Sequence, residues 1–285
     1  GKALFMVKNK KSILAYLLCG AVLIALLGAF CMFLAIVGDY SPELGYFDKG
    51  SVKAGVLYAM LSAGVILAAV SWFLFRKSAL ESSDIPTPVY TKIVSGALII
   101  ALLWQTGTDL LHIPHDNPLL PHWSLILVSD LLALLFIVYL ICDSTSKKIR
   151  QSSGTACLAF FPPIYAATRL FIIYLDLTAA ANSPVKILQQ LMYISFMLFL
   201  TGAAGLSLKR VSVFPRYVFS LICTIAVGGA VSVSALLGLV TGTPGYNMDP
   251  SQIAFCFIMT VYALCRLLTL ALSDSVVLKS PEEAE

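Results

Sequence analysis

Charged residues are scarce in this chain. They make up only 12% of its 285 residues, whereas hydrophobic residues make up 59%, and the mean hydropathy is +0.90. A soluble globular domain contains about 25% charged and about 45–50% apolar residues, and a disordered segment contains still fewer apolar ones. The composition therefore excludes both classes and indicates a polytopic membrane protein.

The motifs of common enzymes are also missing. The sequence has no Gly-x-Ser-x-Gly, no phosphate-binding loop and no Cys-x-x-Cys pair. No stretch combines a dense basic patch with exposed aromatic residues, so no nucleic-acid partner is expected. These absences argue against an enzyme but leave the question open. The cysteines all lie in apolar stretches and are interpreted as small packing residues: Cys19, Cys31, Cys142, Cys157, Cys223, Cys256 and Cys265.

Long apolar runs are what the sequence has instead. A helix needs about 20 apolar residues to cross the hydrocarbon core of a bilayer, and eight stretches meet this requirement. The sequence therefore predicts an all-α integral membrane protein, a single bundle of eight transmembrane helices in one domain over residues 1–285, with no soluble domain. The predicted spans are Ile13–Val37, Ala54–Phe75, Ile93–Leu111, Trp123–Cys142, Thr155–Leu175, Ile187–Leu208, Tyr217–Thr241 and Gln252–Leu272.

The distribution of Lys and Arg predicts the orientation. Fourteen of the nineteen basic residues lie on the side of the two termini, and only Lys49, Lys53 and Lys186 lie on the opposite side. Because cytoplasmic loops carry the excess of basic residues, both termini are expected in the cytoplasm. The expected location is the plasma membrane, and the absence of an Asn-x-Ser/Thr sequon fits a bacterial protein.

Polar residues of the third, fourth and fifth spans converge at one depth. Gln105, Asp109 and His112 recur at helical spacing and share one face of the third span. Asp130 and Arg169 both lie about 10 Å below the outer boundary, at about 1.5 Å per residue. An ionisable group at that depth is costly unless it is paired. The pattern predicts that Asp130 and Arg169 face each other, or share a wet cavity, between the fourth and fifth spans.

Two interpretations of these polar residues remain open. A structural ion pair between Asp130 and Arg169 would lock two helices together. Alternatively, an outward-facing cavity would bind a small charged or polar ligand from the outer side, with Arg169 receiving an anionic group and the aspartates a proton or cation. The candidate ligand-binding residues are Gln105, Asp109, His112, Asp130, Tyr165, Arg169 and Asp176.

The three histidines lie within eleven residues, at His112, His115 and His122. With Asp109 they offer enough ligands for a four-coordinate zinc site. Pro114, however, disfavours helical backbone at the residue before it, so the first two imidazoles are not expected on one helical face. We therefore predict no cofactor and no metal, with zinc at these four residues as the alternative.

Residues near the predicted membrane surfaces have simpler interpretations. Arg266 lies six residues from the cytoplasmic end of the eighth span, where its side chain can extend to the lipid head groups. Tyr139 and Tyr217 lie near span ends and are interpreted as interfacial anchors. The seventh span is rich in small residues, which let helices approach each other closely: Gly228, Gly229, Ala230, Ser232, Ser234, Ala235 and Gly238.

Three functional hypotheses follow for this membrane protein. The first is a small-molecule transporter or permease-like protein with an outward-facing polar cavity. The second is a non-catalytic ligand sensor, or a membrane subunit that works with a partner membrane protein, because the cytoplasmic loops are too short to transmit a signal alone. The third is an intramembrane hydrolase or lipid-modifying enzyme, with or without a metal, built on Asp109 and the histidines.

Overall fold

Helices account for 84% of the residues that the structure describes. The computed structural model describes residues 2–41, 45–80, 85–112, 123–178, 183–243, 245–246, 248–273 and 278–279, without the side chains of 2–10, 211 and 278–279. The helices are α1 (Lys2–Asp39), α2 (Val52–Phe75), α3 (Val89–Leu111), α4 (Trp123–Ser144), α5 (Lys147–Arg150), α6 (Ser153–Leu158), α7 (Phe161–Leu175), α8 (Pro184–Ser207), α9 (Phe214–Cys223), α10 (Gly229–Thr241) and α11 (Pro250–Leu272).

Within these described residues, eight helical segments are long and apolar enough to span a membrane. The eight predicted spans are thus confirmed, and the chain is a multi-pass membrane protein. Most of these segments begin a few residues before the predicted limit, because proline or a capping side chain starts the helix in polar sequence. Ser51 accepts a hydrogen bond from the Ala54 amide at 3.1 Å at the start of α2, and Pro184 and Pro250 begin α8 and α11.

Two spans are not regular helices. The fifth divides into α6 and α7 at Ala159 and Phe160, because Pro162 and Pro163 cannot donate the backbone hydrogen bonds that a continuous helix needs. The seventh consists of α9 and α10 joined by one turn of π-helix over Thr224–Gly228. Such turns are rare and occur frequently at functional sites.

The seventh span is the most enclosed. In its most apolar stretch, 83% of the residues are buried, against 28% for the second span. Its small residues make this burial possible: a Cβ atom at Gly229 would lie 2.9 Å from the Cβ of Ala25 on α1. Helices α1, α2, α8 and α11 all contact this span, so the predicted close packing at its small residues is confirmed.

Contacts between the connections define one end of the molecule, which we call the basic end. There Lys11 donates to the carbonyl of Ser273 at 2.8 Å, and Arg150 donates to Thr87 at 2.6 Å. Strand β3 (Ala79–Leu80) also pairs antiparallel with β4 (Leu278–Lys279). The opposite end carries the hairpin of β1 (Tyr40–Ser41) and β2 (Tyr46–Phe47). Which end faces the cytoplasm stays a prediction.

Candidate functional site

Arg169 forms a buried ion pair with Asp109. The Arg169 Nη1 and Asp109 Oδ2 atoms are 2.6 Å apart, and the two side chains are 7% and 17% exposed. The pair joins α7 to α3 in the half of the membrane-spanning region nearer the opposite end. An unpaired charge there would lose its hydration without compensation. The ion pair therefore offsets the desolvation cost of both Arg169 and Asp109.

Gln105 and Tyr165 surround the same guanidinium. With its amide oxygen toward Arg169, Gln105 accepts hydrogen bonds from Nη2 and from Nε, the latter at 3.2 Å. In that orientation its nitrogen donates to the Tyr165 hydroxyl at 3.1 Å. Gln105 and Asp109 are neighbours one helical turn apart on α3. The predicted polar face of the third span therefore contacts Arg169 directly.

Asp130 does not pair with Arg169, so the predicted ion pair between them is wrong. The side chain of Asp130 is 6% exposed, and its Oδ2 atom has no hydrogen-bond partner in the described part of the chain. Asp130 nevertheless lies close enough to interact electrostatically with both Asp109 and Arg169. Helix α4 packs against both α3 and α7, but the Arg169 side chain extends from α7 to the carboxylate on α3. The site thus has one cation and two carboxyl groups.

Two of the predicted site residues lie apart from this cluster. His112 is exposed at the end of α3, where its Nδ1 atom is 2.9 Å from the carbonyl of Thr108 on its own helix. Asp176 follows α7 and accepts hydrogen bonds from the backbone and hydroxyl groups of Thr178 at 2.9 and 2.6 Å. Its carbonyl also accepts a hydrogen bond from buried Lys186. Both residues terminate or brace helices.

His115 and His122 lie outside the described residues, so the alternative zinc site is not visible as a whole. Among the residues that the structure describes, no group of three His, Cys, Asp or Glu side chains is placed to hold a metal ion.

Helices α8 and α11 contribute side chains that the sequence did not single out. Ser251 at the start of α11 shares a 2.8 Å hydrogen bond with Thr108 on α3. Tyr193 on α8 is an electrostatic neighbour of Arg169, and its hydroxyl lies 3.6 Å from the Cys256 sulfur on α11. A buried tyrosine gives no signal in an apolar span, because its ring alone explains its presence there.

A second polar cluster lies nearer the basic end. The Arg266 Nη1 atom is 3.7 Å from Asp143 Oδ2, and Arg266 Nε donates to the Tyr217 hydroxyl at 3.2 Å. Tyr262 also donates to Asp143, at 3.4 Å. Arg266 is only 7% exposed, so the expectation that it extends to the head groups is wrong. Tyr139 and Tyr217 are buried beside it and are not interfacial anchors.

The second cluster borders a small cavity at the basic end. This cavity has a volume of about 30 Å³, and Arg150, Lys209 and Arg266 line it together with Asp143. Asp130 and Asp143 are thirteen residues apart on α4, which corresponds to about 20 Å along the helix axis. The two clusters thus lie at different depths on one set of helices.

Aromatic rings fill the space between the two clusters. The Phe255 ring centroid is 5.6 Å from that of Tyr165 and 6.3 Å from that of Phe196. Phe199 continues the layer to the second cluster, 5.9 Å from Tyr217 and 6.0 Å from Tyr262. These phenylalanines are at most 1% exposed. These buried aromatic rings therefore form an apolar barrier between the two charged clusters.

The comparisons with known proteins add no family to this description. No family model, no curated protein and no solved structure matches the chain. The geometry of the two clusters and of the barrier is therefore what bears on function.

Proposed function

We propose that the protein is a small-molecule transporter, and that Asp109, Asp130 and Arg169 form its substrate and coupling-ion site. In this proposal the chain lies in the plasma membrane with the basic end and both termini in the cytoplasm, as the excess of basic residues favours. The cluster that contains Arg169 then lies in the outer half of the membrane. Substrate enters from the outside.

The observation that carries the proposal is the imbalance of charge around Arg169. One guanidinium is shared by Asp109, which it contacts, and Asp130, whose Oδ2 atom has no hydrogen-bond partner in the described residues. A carboxyl group left in this condition within a membrane is expensive as an anion and favourable as a proton or cation acceptor. Structural ion pairs do not need such a third group.

The contacts suggest how substrate and ion would bind. An anionic group of the substrate would replace Asp109 on the Arg169 guanidinium, because arginine pairs with carboxylate and phosphate groups in the same bidentate way. Asp109 would then join Asp130 as a second acceptor for a proton or cation. Binding of the anion would thereby raise the affinity for the cation, which is the reciprocity that coupled transport requires.

The aromatic layer would act as the inner barrier of the transport cycle, which stays closed while substrate binds at the Arg169 cluster. Phe196 and Phe255 lie between the Arg169 cluster and the Arg266 cluster, and both contact Tyr193. Alternating access requires that a closed barrier on one side of the site opens while the other side closes. The π-helical turn lies beside this layer, since Thr224 donates to the carbonyl of Ser195 at 2.9 Å.

Proton-coupled uptake into proteoliposomes tests the proposal. Vesicles that hold a pH-sensitive dye would be given small carboxylates, amino acids and inorganic phosphate in turn, under an imposed membrane potential. We expect acidification of the lumen with at least one of these classes in the wild type. The Asp130→Asn variant should lose this uptake and keep its fold, because asparagine has nearly the same shape but cannot release a proton.

Asp176→Asn is the matched control, since it removes an aspartate from the same end of the bundle but outside the cluster. It should transport at the rate of the wild type. The proposal is wrong if no substrate class moves protons in the wild type, or if Asp130→Asn transports normally. Binding of a substrate without any flux would favour a ligand sensor instead.

A further inference from the structure

A groove lies at the surface of the molecule between α8 and the start of α9. Its volume is about 550 Å³, and Trp72 on α2 and Phe160 before α7 complete its walls. Leu198, Trp72 and Phe160 line it and are 40%, 42% and 47% exposed. Large apolar side chains left exposed on a membrane-spanning helix face lipid. The groove therefore opens toward the bilayer and not toward the first polar cluster.

Small residues form the floor of the groove. Thr201, Gly202, Ala204, Gly205 and Ser220 all line it. The glycines let α8 approach the following segment closely: a Cβ atom at Gly205 would lie 3.1 Å from Val213. A floor of small residues between walls of large apolar ones makes a channel of the shape that a hydrocarbon chain fills.

Two arginines lie where this channel reaches the basic end. Arg210 follows α8 by three residues, Arg216 lies in the first turn of α9, and both line the groove. Leu198 is nine residues before the end of α8, which places it about 14 Å deeper along the helix. Charge at the surface and an apolar channel beneath it match the two parts of a phospholipid.

Within the described part of the chain, no carboxylate balances the positive charges of this groove. Its lining contains no Asp or Glu, and neither arginine forms an ion pair with a carboxylate of the described residues. Basic pockets between transmembrane helices on the cytoplasmic side recognise anionic lipid head groups. Arginine suits this role because its planar guanidinium binds two phosphate oxygens at once.

We propose that the groove is a binding site for one anionic phospholipid, whose phosphate is held by Arg210 and Arg216 and whose acyl chain lies along Leu198 and Gly202. This site is independent of the transport proposal, because it shares no residue with the Arg169 cluster. It is, however, next to the second cluster: a Cβ atom at Gly202 would lie 3.1 Å from the ring of Tyr217, which binds Arg266.

Native mass spectrometry of the purified full chain tests the site. The protein would be incubated with phosphatidylglycerol or with phosphatidylcholine that has the same acyl chains. We expect the wild type to retain one phosphatidylglycerol molecule in preference to phosphatidylcholine. In Arg210→Gln/Arg216→Gln, retention should fall roughly tenfold or more, since each basic residue near the membrane surface attracts anionic lipid independently.

The matched control is Lys92→Gln/Lys148→Gln, which removes two charges from exposed positions at the same end but outside the groove. This variant should retain phosphatidylglycerol like the wild type. Leu198→Trp, which fills the channel while leaving both arginines, should also reduce retention. Circular dichroism and melting in detergent identify any variant that fails to fold, and the remaining variants then decide the question.

Several outcomes would overturn the proposal. Equal retention of the two lipids would show that the groove does not select anionic lipid. Equal losses in the arginine and lysine double variants would show that basic residues at this end attract lipid without a specific site. Displacement of the lipid by inorganic phosphate alone would indicate a site for a free anion. If Leu198→Trp instead released a second protein chain from the purified sample, the groove would be a protein interface.

Discussion

Arg169 depends on three polar partners that come from two different helices. Asp109 neutralises it, Gln105 accepts from it, and Tyr165 holds the Gln105 amide. Asp130 is a further polar group close enough to interact electrostatically with Arg169, and the described residues show no ion pair between the two. The four groups are therefore not equivalent, and substitutions should separate them.

Replacing Arg169 should destabilise the protein more than replacing its partner Asp109. Arg169→Gln leaves two carboxyl groups without a positive charge and should destabilise the protein by about 3 kcal/mol, which is typical of an uncompensated buried charge. Asp109→Asn should destabilise it less, because Asp130 is positioned to replace the lost carboxylate. The measurement is the apparent melting temperature in detergent.

Adding Asp130→Asn to Arg169→Gln should recover part of the lost stability, because one of the two unneutralised carboxyl groups disappears. The same addition to the wild type should not stabilise it to this extent. If Asp109→Asn and Arg169→Gln melt at the same temperature, and Asp130→Asn changes neither, then Asp130 is not part of the charge network.

At the scale of single elements, the seventh span is the one whose irregularity matters most. Its π-helical turn places Gly228 against the edge of Phe196, where a Cβ atom would lie 2.9 Å from Cε1. Phe196 is fully buried and packs on Tyr193 and Phe255. The ring therefore has no open space into which it could withdraw.

Gly228→Ala should consequently lower stability by about 1–3 kcal/mol through overpacking, although alanine favours a helix more than glycine does. Gly96→Ala on α3 is the control, because the added Cβ atom would have no described atom within 4 Å apart from the nearby backbone of its own helix. That variant should melt at or slightly above the temperature of the wild type. Equal behaviour of the two variants would show that the turn beside Phe196 has room to adjust.

At the scale of the whole molecule, the orientation in the membrane is the property to measure. Lys148 is exposed at the basic end, between α4 and α7, and Lys49 is exposed at the opposite end, after the β1–β2 hairpin. If all eight segments cross the membrane, the segment before the first span and the segment after the eighth are predicted to lie on the same side. The positive-inside rule predicts that the basic end lies in the cytoplasm.

Labelling of introduced cysteines with a membrane-impermeant maleimide in intact cells tests this assignment. We expect Lys49→Cys to react from outside and Lys148→Cys to react only after the cells are permeabilised. The unsubstituted chain gives the background from the native cysteines, which all lie within or beside the spans. The reverse labelling pattern would show that the orientation is opposite to the predicted one, with the Arg169 cluster nearer the cytoplasm.

The sequence predicted the depth of the residues in the candidate site but not all of their contacts. The sequence placed Asp109, Asp130 and Arg169 at a shared depth, because depth depends on the position of a residue along its own helix. The sequence predicted that Arg169 pairs with Asp130, whereas it pairs with Asp109. It also predicted that the Arg266 side chain extends to the membrane surface, whereas this side chain is buried. Both errors concern the direction and reach of a side chain between helices.

The sequence by itself determined the number of spans and the residues that each contains, because transfer of a segment into a bilayer depends on its own apolar length. It also determined where helices approach closely, since small residues such as Gly229 allow contact whatever the partner. Only the tertiary structure decided that Arg169 binds Asp109 and that Tyr139 and Tyr217 face inward. It also decided that the Asp130 Oδ2 atom has no hydrogen-bond partner among the described residues. These outcomes depend on which helices become neighbours and on their rotation, and in a uniformly apolar span no local pattern specifies either.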